Sequence, residues 1–188
     1  EAHMFKAKSL TSIMTKLHQC KYRFGFTGTL DGTETHRLVL EGLFGSVEQV
    51  VTTKELIDKK TLANLKIKCI TLKHPEKRER MTYAEELDYL VSKESRNRFI
   101  LELCNNIAGN TLCLFQLVEK HGKILYDGMK GKENVYFVYG GTDTEQREEI
   151  RGLVEGHKNS TTIASYGTFS TGINIRNIHN IVLASPSK

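Results

Sequence analysis

Four cysteines, Cys20, Cys69, Cys104 and Cys113, are scattered through 188 residues without a C-x-x-C spacing. That excludes a disulfide framework or a thiolate zinc site as the organising device and fits a reducing cytoplasm. Three of them sit inside apolar runs, where small buried hydrophobes are expected. The seven histidines form no metal-ligand pattern, so no metal site is expected. No apolar stretch approaches the ~20 residues that cross a bilayer, and no signal peptide is present, so no membrane role is expected. Neither G-x-G-x-x-G nor G-x-x-x-x-G-K-[ST] occurs, which removes the fingerprints of a dinucleotide enzyme and of a phosphate loop. The chain also starts at Glu1-Ala2-His3 without an initiator methionine, so more natural chain is expected before Glu1.

What is present suits a globular protein. A hydrophobic content of 39% is ample for one core and can supply two small ones. Lys and Arg outnumber Asp and Glu by 27 to 22, giving +5 and a pI near 9.0, a mild lean towards polyanionic partners or an ordinary surface composition.

Residues 5–19 place Leu10, Ile13, Met14 and Leu17 on one helical face. A strand is expected over 22–26, a turn over 27–33, a helix over 35–43 stopped by Gly45, a strand over 47–51 and a short helix over 53–59 capped by Thr52 or Thr53. Residues 66–72 alternate as a strand does. Residues 73–80, with Pro75 and seven titratable side chains, interrupt the pattern.

From Tyr83 the order becomes regular. A helical region over 83–107 broken near Ser92, a buried strand over 111–116, a helix over 118–129, a strand over 134–139, a helix over 144–155 and strands over 162–164 and 178–183 follow one another. Short apolar strands alternating with helices indicate a parallel sheet of βαβ units. The last two strands are read as buried on both faces. Residues 64–188 thus make nearly one α/β domain, whereas 1–63 hold too few elements for one.

Between the last two strands runs Ser165-Tyr166-Gly167-Thr168-Phe169-Ser170-Thr171-Gly172-Ile173-Asn174, at the end of a strand where open α/β sheets bind their ligands. Its hydroxyls suit phosphate oxygens, and its glycines allow close backbone approach. Alternatively, Ser and Thr there simply cap the next helix. Earlier, Glu1 and His3 precede a helix, and Thr27-Gly28-Thr29 follows the expected strand at 22–26. A carboxylate, an imidazole and hydroxyls at one rim suit nucleotide hydrolysis.

The order E-A-H, helix, T-G-T, then a second α/β unit with a Ser/Thr/Gly loop resembles motifs II to V of superfamily 2 DNA helicases. Glu1, Ala2 and His3 match the end of D-E-A-H, and residues 24–33 look like the phage UvsW-type branch. Residues 112–123 are similar to its motif IV region, and 164–173 to its motif V. The resemblance implies two RecA-like parallel-sheet α/β domains: 1–63 as the C-terminal part of the first, incomplete at its N-terminus, and 64–188 as a nearly complete second. It implies an ATP-dependent DNA helicase acting in phage recombination, repair and branch migration, with ATP and Mg²⁺ as cofactors in the intact protein. DNA is the implied partner through its backbone, single-stranded or branched, with phage recombination proteins beside it. A monomer in the host cytoplasm is expected.

By the same resemblance, Glu1 would polarise the attacking water, His3 would link the ATP site to motif III, and Thr27, Gly28 and Thr29 would transmit closure. Gly140, Gly141, Arg147, Ser165, Thr168 and Ser170 would lie at the DNA backbone. Gly172 and Asn174 would lie at the nucleotide, with Asn174 standing where many relatives carry an aspartate. The phosphate loop, the Mg²⁺-binding aspartate and the arginine-rich motif VI are absent from these 188 residues, so the chain alone is expected to hydrolyse no ATP. A non-enzymatic nucleic-acid-binding α/β module remains the alternative.

Overall fold

A strand that is apolar on both sides needs cover on both faces, and the second half of the chain builds that arrangement. The computed structural model describes residues 2, 8–28, 30, 34–73, 80–169 and 175–186. The chain divides into two compact units, Glu1–Cys69 and Ile70–Lys188.

In the second unit, α4 (Tyr83–Val91) and α5 (Glu94–Asn106) precede β1 (Thr111–Phe115). A π-helical turn (Val118–Gly122) runs into α6 (Lys123–Asp127), followed by β2 (Val135–Val138), α7 (Thr144–Gly156), β3 (Thr161–Ser165), α8 (Tyr166–Phe169) and β4 (Asn180–Leu183). The strands form one sheet in the order β2-β3-β1-β4, every pair parallel. Register is fixed by Cys113 opposite Ile163 and Val182, and by Val138 opposite Ala164.

The strand period of two sorts the core into two faces. Cys113, Phe115 and Ile163 pack with Ile100, Cys104, Leu125 and Met129. Leu112, Leu114, Val138 and Ala164 pack with Ile150 and Val154 of α7. Helices therefore lie on both sides of β1 and β3, as the βαβ pattern predicts. The break expected near Ser92 is where α4 ends. Thr82 caps α4, its hydroxyl accepting from the Glu85 amide while the Glu85 carboxylate accepts from the Thr82 amide at 2.8 Å.

One expectation fails at β4. Ile181 and Leu183 are 57% and 67% exposed, so this strand is not buried on both faces. It is the edge strand beside β1, and its second flank has no ladder partner among the described residues.

The first unit holds α1 (Lys8–Lys16), α2 (Glu34–Phe44) and α3 (Thr53–Asp58). Leu40 and Leu43 are buried, and Gly45, at φ +95°, donates its amide to the Glu41 carbonyl and ends α2 in a left-handed turn. Thr52 and Glu55 form a capping box on α3.

The strands expected over 22–26, 47–51 and 66–72 are not formed among the described residues. An apolar run becomes a strand only when neighbours supply the other half of each hydrogen bond. Here Tyr22, Phe24 and Phe26 are 70%, 75% and 79% exposed, and Val50 is 94% exposed. One bond of the 22–26 segment is the Ala2 amide donating to the Phe26 carbonyl at 2.8 Å. Cys69, expected in a buried strand, is exposed with Cys20, while Cys104 and Cys113 are buried.

Candidate nucleic-acid interface

Because all four strands are parallel, their carboxyl ends share one rim, and the chain leaves each strand there through a polar turn. Residues 139–142 follow β2, 116–117 follow β1, and 184–186 follow β4, while β3 runs directly into α8. These are the turns a ligand meets at the carboxyl edge of an open α/β sheet.

After β3, Ser165 and Thr168 face each other with their hydroxyl oxygens 2.6 Å apart. Ser165 is half-buried and Thr168 buried, so the pair ties the end of β3 to the first turn of α8 through the two side chains. Gly167, between them, is exposed, and a Cβ there would meet nothing within 4 Å.

After β2, Thr142 ties the chain back on itself. Its amide donates to the Tyr139 carbonyl at 3.0 Å, and its hydroxyl accepts from the Tyr139 amide at 3.0 Å. Arg147, one turn into α7, donates Nε to the Thr142 carbonyl at 2.8 Å and Nη2 to the Gly140 carbonyl at 2.9 Å. Gly140 and Gly141 are exposed on this turn. A Cβ on Gly141 would lie 2.6 Å from Cε2 of Tyr139, so the backbone lies against that ring as only glycine permits.

β2 and β3 are neighbours, with Val138 paired to Ala164, so the two turns begin at adjacent points of the rim. The structure therefore brings together Gly140, Gly141 and Arg147 in one group and Ser165 and Thr168 in the next. Thr27, half-buried, and Gly28, exposed, belong to the first unit. Glu1, His3, Thr29, Ser170, Gly172 and Asn174 lie outside the described residues.

Behind the rim is a network that sequence reasoning missed. Arg96 of α5 donates Nη2 to the Ala184 carbonyl at 2.6 Å, and its buried Nη1 has no partner among the described residues. Burial lowers the pKa of this guanidinium and raises that of the nearby Tyr166 phenol. Tyr166 donates its hydroxyl to the Ser185 carbonyl at 2.7 Å, and Ser185 Oγ accepts from the Gln116 amide at 2.8 Å. The exits of β1, β3 and β4 are thereby bound to one another and to α5. The signal was in the helical period: Arg96 stands four residues before Ile100 and eight before Cys104, on the buried stripe of α5.

Among the described residues no three His, Cys, Asp or Glu side chains assemble into a cluster that would hold a metal ion. No described helix is long and apolar enough to cross a membrane.

No protein-family model matches the chain. The ATP-dependent DNA helicase UvsW of Enterobacteria phage T4 is 35% identical to it over 192 residues, covering 98% of this chain and 38% of that protein. The crystal structure of T4 UvsW matches it with a TM-score of 0.53 and 30% identity, over 100% of this chain and 38% of that one. The chain thus spans well under half the length of the relative it matches. The order of motifs, the parallel sheet and these two likenesses agree: in sequence and in fold the chain is related to the UvsW-type helicases.

Proposed function

We propose that this chain is the part of an ATP-driven DNA helicase that carries the nucleic-acid grip of the second motor domain, joined to the end of the first. The observation that carries this reading is the pair of adjacent turns at the carboxyl rim, Gly140–Gly141 after β2 and Ser165–Thr168 after β3. Backbone amides and short hydroxyls are the groups that hold phosphates without reading bases. In the intact protein these turns would track one strand during translocation in recombination, repair or branch migration. Residues 1–63 would end the first motor domain and 64–188 form the second, working as a monomer beside other phage recombination proteins.

Within that reading, Glu1 and His3 serve the hydrolysis site, Thr27, Gly28 and Thr29 couple the domains, and Ser170 extends the phosphate-facing set. Gly172 and Asn174 adjoin the nucleotide. No lysine-bearing phosphate loop occurs in the sequence. We assign ATP and Mg²⁺ chemistry to the intact parent, and the 188-residue chain is expected to bind nucleic acid without turnover.

The test is binding of a fluorescent single-stranded oligonucleotide, titrated with salt, beside an ATPase assay. Salt-sensitive binding that ATP does not change, with no hydrolysis, is the expected result. DNA-stimulated hydrolysis by this chain would overturn the division of labour, and lack of binding would overturn the grip.

A further inference from the structure

The carbonyls that Arg147 holds dictate where the neighbouring amides point. Its Nη2 takes the Gly140 carbonyl and its Nε the Thr142 carbonyl. The peptide bonds are trans, so each amide N–H lies opposite the carbonyl of its own peptide plane. The Gly141 and Asp143 amides are accordingly turned away from the guanidinium. Both residues are exposed, and neither amide is bonded elsewhere among the described residues.

Arg147 itself is only half-buried and makes no ion pair among the described residues, while its neighbours Glu148 and Glu155 are both paired with Arg151. Its charge is therefore not used on a carboxylate. Two of its donors are committed to main-chain oxygens of a single turn. The same turn is closed from its other side by Thr142, which bonds both the amide and the carbonyl of Tyr139.

We propose that Arg147 is a positioning residue: it locks the Gly140–Thr142 turn so that the Gly141 amide faces outward to a nucleic-acid phosphate, and does not itself hold the phosphate. This rests on the nucleic-acid reading of the rim given above, and it assigns Arg147 a different task from the direct backbone contact expected of it. Lysine does not reproduce this hold, since its ammonium lacks the rigid planar fork that sets Nε and Nη2 on the two carbonyls. Thr142 is the second half of the same clasp and carries no charge.

The experiment compares the wild-type chain with Arg147→Lys, Arg147→Ala and Thr142→Val. It reads oligonucleotide affinity against salt and amide hydrogen exchange at Thr142, which reports the turn itself. Arg147→Lys and Arg147→Ala are expected to weaken binding equally, about tenfold, and Thr142→Val to do so by a similar factor, with the salt slope unchanged in all three. Exchange at Thr142 is expected to quicken in each. Retained affinity in Arg147→Lys, with a salt slope reduced by about one in Arg147→Ala, would mark a direct phosphate contact and overturn the proposal. Unchanged exchange in both arginine variants would overturn it too. Failure of the wild-type chain to bind would instead remove the nucleic-acid reading, and exchange at Thr142 would still decide whether Arg147 holds the turn.

Discussion

His121 Nε2 lies 3.2 Å from Asn97 Oδ1, inside the second unit where neither side chain is more than 5% exposed. The amide of Asn97 is oriented by its own donor, which reaches the Val91 carbonyl at 2.7 Å. Oδ1 must then accept, so the imidazole carries its proton on Nε2 and leaves Nδ1 bare and buried without a partner among the described residues.

This histidine makes stability depend on acid. Burial first, and the Arg96 charge second, push its pKa down from 6.5 to about 4. The unfolded chain therefore binds the proton at higher pH than the folded one. Stability is full above pH 6.5, falls as pH drops towards 4 and levels off below that, for a total of about 3 kcal/mol at most. Denaturant midpoints measured from pH 7 to pH 4 should fall less steeply for His121→Gln, which keeps a donor for Asn97 but does not titrate. Equal slopes in the two proteins would contradict the assignment.

Thr162, the second residue of β3, is fully buried with a hydroxyl that has no partner among the described residues. Valine has nearly the same shape and no oxygen to desolvate. Thr162→Val is expected to stabilise the chain by about 1 kcal/mol, seen as a higher urea midpoint with an unchanged slope.

Two glycines make a matched pair. A Cβ on Gly122 would lie 2.4 Å from Cζ of Phe115, a fully buried ring stacked against Phe137 at 5.6 Å. Gly122→Ala should cost about 1–3 kcal/mol through overpacking. Gly152 sits within α7 with nothing within 4 Å of its would-be Cβ, and Gly152→Ala should gain about 0.5–1 kcal/mol. Thermal melts of the two variants should move in opposite directions.

At the rim, Ser165→Ala removes a hydroxyl that is paired with Thr168 and half-exposed beside the Gly140 turn. Oligonucleotide affinity should drop about threefold to tenfold. The slope of affinity against salt should stay as it was, because no charge has been removed. Unchanged affinity would show that Ser165 does not touch the backbone.

Much of the second unit could be read in advance because its signals are local. The β-branched and apolar runs at β1 and β3 are flanked by helices of clear period, and the interruption at Ser92 shows in the pattern itself. The first unit was harder for a physical reason. The runs containing Tyr22, Phe24 and Phe26, and later Leu65 and Ile67, have strand composition, but a ladder requires partners at the right height and distance, which no local rule supplies. The rim was legible in part: glycine and hydroxyl content marked the turn after β3, and the resemblance to the helicase motifs marked the one after β2, whereas the carbonyls that Arg147 meets appeared only in the structure. The link from Arg96 to Ala184 spans 88 positions, so only the misplaced charge on an apolar helix stripe hinted at it.

The half-open flank of β4 has a consequence for handling the protein. Ile181 and Leu183 stand clear of cover along an edge whose hydrogen-bonding groups have no ladder partner among the described residues. Such a margin invites another strand to add itself. Concentrated samples should therefore self-associate along this strand, and a lysine at position 181 or 183 should suppress it without disturbing the turns across the rim.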